Sequence, residues 1–175
     1  VNNSYKNFRV EDVVKIKKLE RISLLELFHG PTLAFKDLAM QVIGNMYEKI
    51  LKKNNLKINI IVATSGDTGA AAIEAIKDRN NMKIFVLHPE NRISDVQRKF
   101  MTTVDSKNVF NIALDSNFDE CQKFVKLMFA DNDFSKSINM SGVNSINWVR
   151  IVVQIVYYFF AYFKLAKDGE KINFS

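Results

Sequence analysis

Four short segments carry side chains that could do chemistry. The first is Leu27-Phe28-His29-Gly30-Pro31-Thr32-Leu33-Ala34-Phe35-Lys36-Asp37. It sets one lysine after an apolar strand and a Gly-Pro turn, where an amphipathic helix begins. Leu33, Ala34, Phe35 and Leu38 frame Lys36 with apolar surface. Desolvation there disfavours the ammonium form and leaves an amine able to attack an aldehyde. The second segment, Thr64-Ser65-Gly66-Asp67-Thr68-Gly69, joins a buried strand to an alanine-rich helix. Glycines at the carboxyl end of a strand allow close backbone approach, and the free N–H groups of a helix start favour an anion. The same residues also read as a capped turn, with Asp67 or Thr68 as the cap.

The third segment runs from His88-Pro89 to Arg92-Ile93-Ser94-Asp95-Val96-Gln97. It reads as a strand stop followed by a capping box on a new helix, while Arg92 with that helix start offers a place for phosphate. The fourth is Asn144-Ser145-Ile146-Asn147-Trp148 with Arg150, at the head of a long apolar helix. Asn144, Ser145 and Arg150 face a substrate on one reading and cap the helix on the other. The two histidines, His29 and His88, lie far apart without partners at metal-ligand spacing, so the pattern predicts no metal site. No GxGxxG or Walker-type loop supports a nucleotide. The Asp67-Thr68-Gly69 triplet also occurs in aspartic proteases, but a helical Ala70–Ala75 run follows in place of a β-rich fold.

The elements that must position these residues follow from periodicity. Val13–Ile16 and Ile22–Phe28 read as short strands. Lys36–Asn54 reads as a helix, with Ala39, Val42, Ile43, Met46, Ile50 and Leu51 at helical spacing. Then come strand Ile58–Ala63, helix Gly69–Arg79, strand Ile84–His88 and a helix from Ser94 to Thr103. Strand Val109–Leu114, helix Phe118–Ala130 and a long helix Ser145–Lys167 follow, with Gly169 placed to stop the last. Ile172–Phe174 reads as the start of another strand. Strands alternating with crossover helices predict an α/β fold: a mostly parallel sheet in a three-layer αβα arrangement.

With 175 residues, 47% of them hydrophobic, the chain can bury one good core. The net charge of +6 is spread without a basic stripe interleaved with aromatics, so no nucleic-acid partner is expected. A single cysteine, Cys121, makes no internal disulfide, and no secretory leader is visible, which together predict a cytoplasmic protein. The apolar run Ile151–Ala166 is broken by Gln154 and Lys164. It reads as a buried core helix and not a membrane span.

Taken in this order, the Gly30–Asp37, Thr64–Gly69, His88–Gln97 and Asn144–Arg150 segments, with the lead-in Ser4–Phe8, resemble the threonine synthases. These are pyridoxal-phosphate enzymes of the tryptophan-synthase-β-like superfamily. The resemblance covers essentially all of the chain and implies part of a fold-type-II enzyme. Residues 1–56 would belong to the larger domain with the cofactor lysine, 57–140 to a smaller mobile domain, and 141–175 to the larger domain again. It implies conversion of O-phospho-L-homoserine and water to L-threonine and phosphate, with pyridoxal 5'-phosphate as cofactor. Lys36 would bind the cofactor covalently and shuttle protons, and Asp67, where superfamily relatives carry asparagine, would touch the cofactor ring. Thr64, Ser65, Gly66 and Thr68 would hold the substrate carboxylate, with Asn144, Ser145 and Arg150 as further substrate contacts. Family members are more than twice as long, and their loop for the cofactor phosphate would fall after Ser175. The alternatives to an active enzyme are a non-catalytic remnant, one half of an enzyme completed by a carboxyl-terminal polypeptide, or a weak amino-acid- or anion-binding module.

Overall fold

The computed structural model describes residues 2–144, 147–167 and 170–175. Its centre is a four-stranded sheet in the order β5-β4-β3-β6, with every neighbouring pair parallel. The strands are β3 (Ile58–Ala63), β4 (Met82–Pro89), β5 (Val109–Leu114) and β6 (Met140–Ser141). Side chains alternate between the two faces. Ile60, Val62, Ile84 and Val86 pack with Ala70, Ile73 and Ile76 of α2 (Asp67–Ile76), with Met40 and Ile43 of α1 (Lys36–Asn54), and with Met101 of α3 (Asp95–Thr102). Ile61 and Leu87 face the other way, onto Cys121 and Val125 of α4 (Phe118–Ala130). The result is the expected three-layer αβα arrangement.

Two contacts set where α1 lies. A Cβ built on Gly44 would come 2.5 Å from the backbone oxygen of Ala75, so α1 lies on α2 closer than any side chain at that position would allow. Near the amino terminus a 3-10 turn, Asn2–Tyr5, packs against the same helix, with the Tyr5 hydroxyl donating to the Leu38 carbonyl at 3.2 Å. A separate antiparallel hairpin, β1 (Lys15–Lys18) and β2 (Ser23–Glu26), pairs Lys15 with Glu26 and leads into the Gly30-Pro31 turn.

Several elements differ from the sequence reading. The first hairpin strand is shifted along the chain, and the second is shortened at both ends. A short α5 (Asn132–Ser137) and the two-residue β6 were not anticipated. The last helix, α6, spans Trp148–Leu165 with Asn147 as its N-cap; Ser145 and Gly169 lie outside the described residues. Ile172–Phe174 forms no strand, since none of the strands among the described residues pairs with it; Phe174 instead meets Tyr158 edge-on. The expected burial of α6 is also corrected. Only Arg150, Tyr157 and Ala161 are buried, while Trp148, Val156, Phe159 and Phe163 are more than half exposed. This helix is apolar on several sides but meets α1 along one stripe, so the rest of its surface faces outward. By length and composition alone it could cross a membrane, with mean hydropathy 1.3.

Candidate active site

Lys36 opens α1, and the turn that delivers it is held by its neighbour. The Asp37 carboxylate is fully buried and accepts the Thr32 backbone N–H at 2.8 Å and the Thr32 hydroxyl at 2.7 Å. These bonds fold residues 30–34 back onto the head of the helix. The turn also puts Leu33 in the left-handed region, at φ 63°, a conformation that costs an L-residue about 1–2 kcal/mol. Burial pushes the Asp37 carboxyl above the usual carboxylate range, and the Thr32 hydrogen bonds offset part of that rise. From the sequence alone Asp37 has no assigned role. Its position directly after the lysine was the available signal.

Opposite Lys36, β3 ends at Ala63 and α2 starts at Asp67. Between them Gly66 adopts φ 141° and ψ −82°, a backbone state that L-side chains rarely reach. Thr64 is buried, and its Oγ1 accepts the N–H groups of both Gly66 (3.0 Å) and Gly69 (2.9 Å). The hydroxyl of Thr64 therefore performs the capping that the sequence reading gave to Asp67 or Thr68. The N–H groups of Asp67 and Thr68 donate to no other described residue. They remain available to an anion at the positive end of α2. Ser65 is exposed in this turn.

The two segments meet at Asp67. Lys36 Nζ lies 3.2 Å from Asp67 Oδ2, with the lysine side chain 16% exposed and the carboxylate 46% exposed. The ammonium also sits 4.4 Å from the centre of the Phe35 ring, within cation–π range. The apolar frame anticipated around Lys36 thus includes a carboxylate partner. The other oxygen, Asp67 Oδ1, accepts from Gln97 Nε2 at 2.7 Å. The Gln97 hydrogen bond is the largest influence holding the Asp67 carboxyl below its usual range; burial opposes it, and the Lys36 bond and charge reinforce it. Gln97 was read only as part of a helix cap.

The remaining candidates make other contacts. His88 is buried, and Arg92 is exposed on the loop before α3. Asn144 is exposed. Arg150 is 3% exposed in the first turn of α6, where its Nε donates to Gln154 Oε1 at 3.2 Å and its backbone N–H to Asn147 Oδ1 at 3.3 Å. Burial pushes the Arg150 guanidinium down from its ordinary value. No hydrogen bond among the described residues links Asn144 or Arg150 to Lys36 or Asp67. The structure therefore brings Lys36 to the turn formed by Thr64, Gly66, Asp67 and Thr68, while Ser145 lies outside the described residues.

No family model matches the chain. Across 97% of its length it is 43% identical to the threonine synthase of Eremothecium gossypii, and across 87% it is 51% identical to that of Pseudomonas aeruginosa. Those alignments take in 36% and 32% of the two curated proteins, so the chain spans about a third of their length. The crystal structure of pyridoxal-phosphate-bound threonine synthase from Brucella melitensis matches with a TM-score of 0.89 at 45% identity, over 98% of this chain and 37% of that one. Along essentially its whole length the chain is thus homologous to the threonine synthases, and it has the fold of about a third of such an enzyme.

Proposed function

We propose that this chain forms the lysine-bearing part of a threonine synthase, which converts O-phospho-L-homoserine and water to L-threonine and phosphate. The observation that carries the reading is the meeting of Lys36 with Asp67 at the head of α2, 3.2 Å apart, in a fold that matches a pyridoxal-phosphate-bound threonine synthase. The residues present fit that cofactor. Lys36 supplies a partly withdrawn amine for its aldehyde. Asp67 would supply the cofactor with a hydrogen-bond acceptor, and the unbonded N–H groups at the start of α2 suit a carboxylate. When bound, pyridoxal phosphate supplies the electron sink that makes the substrate Cα proton removable.

The chain's own residues do the rest. Thr64 holds the Gly66 turn in shape, and that turn presents the Asp67 and Thr68 N–H groups to the substrate carboxylate, with Ser65 at its exposed rim. Lys36, once released from Asp67, takes and returns protons at the substrate carbons. Asn144, Ser145 and Arg150 belong to the substrate side of the complete enzyme. Residues 57–140 act as its smaller domain, and 1–56 and 141–175 belong to the larger one. Because the chain spans about a third of its curated relatives, the activity belongs to the complete fold. The exposed side of α6 is where the other two thirds of such an enzyme would pack, which would place this apolar helix inside a soluble, cytoplasmic enzyme.

Two measurements test the reading. Incubation with pyridoxal phosphate followed by borohydride reduction should label Lys36 ahead of the other lysines, read by peptide mass spectrometry, and Lys36→Ala should remove that signal. Phosphate release from O-phospho-L-homoserine should appear when a polypeptide homologous to the other two thirds is supplied. Even labelling of all lysines would sink the assignment.

A further inference from the structure

We propose that Gln97 is a positioning residue, delivered by the first turn of α3, that fixes the plane of the Asp67 carboxylate opposite Lys36. The inference builds on the reading of Lys36 as the cofactor lysine. A carboxylate bonded through one oxygen can turn about its terminal torsion, which is broad. Here each oxygen has its own donor from a different helix: Gln97 Nε2 on Oδ1 at 2.7 Å and Lys36 Nζ on Oδ2 at 3.2 Å. The shorter bond comes from the neutral amide, so the amide sets the plane and the lysine takes the oxygen left over. Asp67 is 46% exposed, and without Gln97 water would compete for Oδ1.

Gln97 is itself held in one sense. Ser94, the N-cap of α3, accepts the Gln97 backbone N–H at 3.3 Å and donates its hydroxyl to Gln97 Oε1 at 2.9 Å. With Oε1 occupied in this way, the amide NH2 must face Asp67. In a complete capping box the glutamine side chain would return to the Ser94 backbone N–H. It does not do so here; the reciprocal half of the box is given up and the amide reaches across to α2 instead. The same side chain covers the Gly66 turn, where an added Cβ would come 2.4 Å from Gln97 Cδ. One glutamine therefore ties α3 to both the anion turn and the carboxylate beside the lysine.

The test uses Gln97→Met, which keeps length and bulk over Gly66 but donates nothing, and Gln97→Glu, which adds a carboxylate. The first readout is the titration of the Asp67 carboxyl carbon by NMR; the charged group acting on Asp67 in the native chain is Lys36. The second is the preference of pyridoxal phosphate and borohydride for Lys36 over the other lysines. Gln97→Met should move the Asp67 midpoint upward with little change in melting temperature, and should lower the Lys36 preference about tenfold. Gln97→Glu should raise the midpoint further, as two adjacent carboxylates share a proton. An Asp67 midpoint that stays at its native position in Gln97→Met would overturn the proposal and leave Gln97 as a cap that packs on Gly66. A shifted midpoint in a chain whose Lys36 is never preferentially labelled would support the Gln97 contact while refuting the cofactor reading, so the two ideas fail separately.

Discussion

Replacing Thr64 separates a scaffold role from a ligand role. Its hydroxyl oxygen accepts two backbone N–H groups, from Gly66 and Gly69, inside the protein. Valine matches threonine in shape but accepts nothing, so Thr64→Val leaves both donors without partners. A buried donor left unsatisfied costs about 1–3 kcal/mol. With some relaxation of the turn, the pair should cost about 2–4 kcal/mol, or roughly 5–15 °C in Tm for a chain of this size. Thr64→Ser keeps the oxygen and loses one buried methyl group, at about 1 kcal/mol. The expected order of stability is therefore wild type, then serine, then valine, measured by thermal melting and urea unfolding on the same samples. If the hydroxyl instead served only a substrate, valine would melt at or above serine and lose only ligand binding. That result would refute the capping argument and return Thr64 to the list of direct substrate contacts.

Gly66→Ala forces a side chain into a left-handed backbone state and into the space of Gln97; it should cost about 1–3 kcal/mol by urea unfolding and lift the Asp67 carboxyl midpoint by displacing Gln97. Gly44→Ala meets the Ala75 backbone, which cannot turn aside; a loss of about 1–3 kcal/mol is expected, and native-like stability would mean that the α1–α2 spacing gives more easily than the contact implies. Asp37 should show its raised carboxyl value in the pH dependence of folding. The folded chain holds that proton to higher pH than the unfolded chain, so this group's contribution falls as pH rises from the usual carboxylate range through the raised value. Asp37→Asn should remove that decline, and a difference curve that stays flat against wild type from acid to neutral pH would count against it. Asp67 carries the opposite sign: its lowered value adds stability above the usual range that is lost as pH falls through the lowered value, so Asp67→Asn should flatten the acid limb.

What could be read in advance was local. Helix α1, strand β3, strand β5 and helix α4 begin and end where apolar spacing and flanking polar residues placed them. Each is decided by its own residues, as at Asn117 and Glu120, which close a capping box around the first turn of α4. Strand β6 and the segment Ile172–Phe174 show the opposite case. Met140 and Ser141 become a strand because Asn59 and Ile60 lie beside them, whereas the β-forming Ile172–Phe174 stays irregular and pairs with no strand among the described residues.

The same boundary runs through the candidate site. Lys36 and Asp67 were visible as residue types at the starts of two helices, yet their pairing is a contact between elements 31 positions apart. From the sequence, the cap of α2 falls to Asp67 or Thr68, the polar residues next to its first turn. The real acceptor, Thr64, works from the end of the strand, since the Gly66 backbone folds the chain back over its hydroxyl. That exchange has a chemical consequence. With Thr64 meeting the structural demand of the turn, the Asp67 side chain is released from capping its own helix and can be shared between Lys36 and Gln97. A carboxylate turned back onto its own helix terminus would point away from both donors. The buried hydroxyl at the strand end is thus what leaves a charged group free at the place where the lysine needs one.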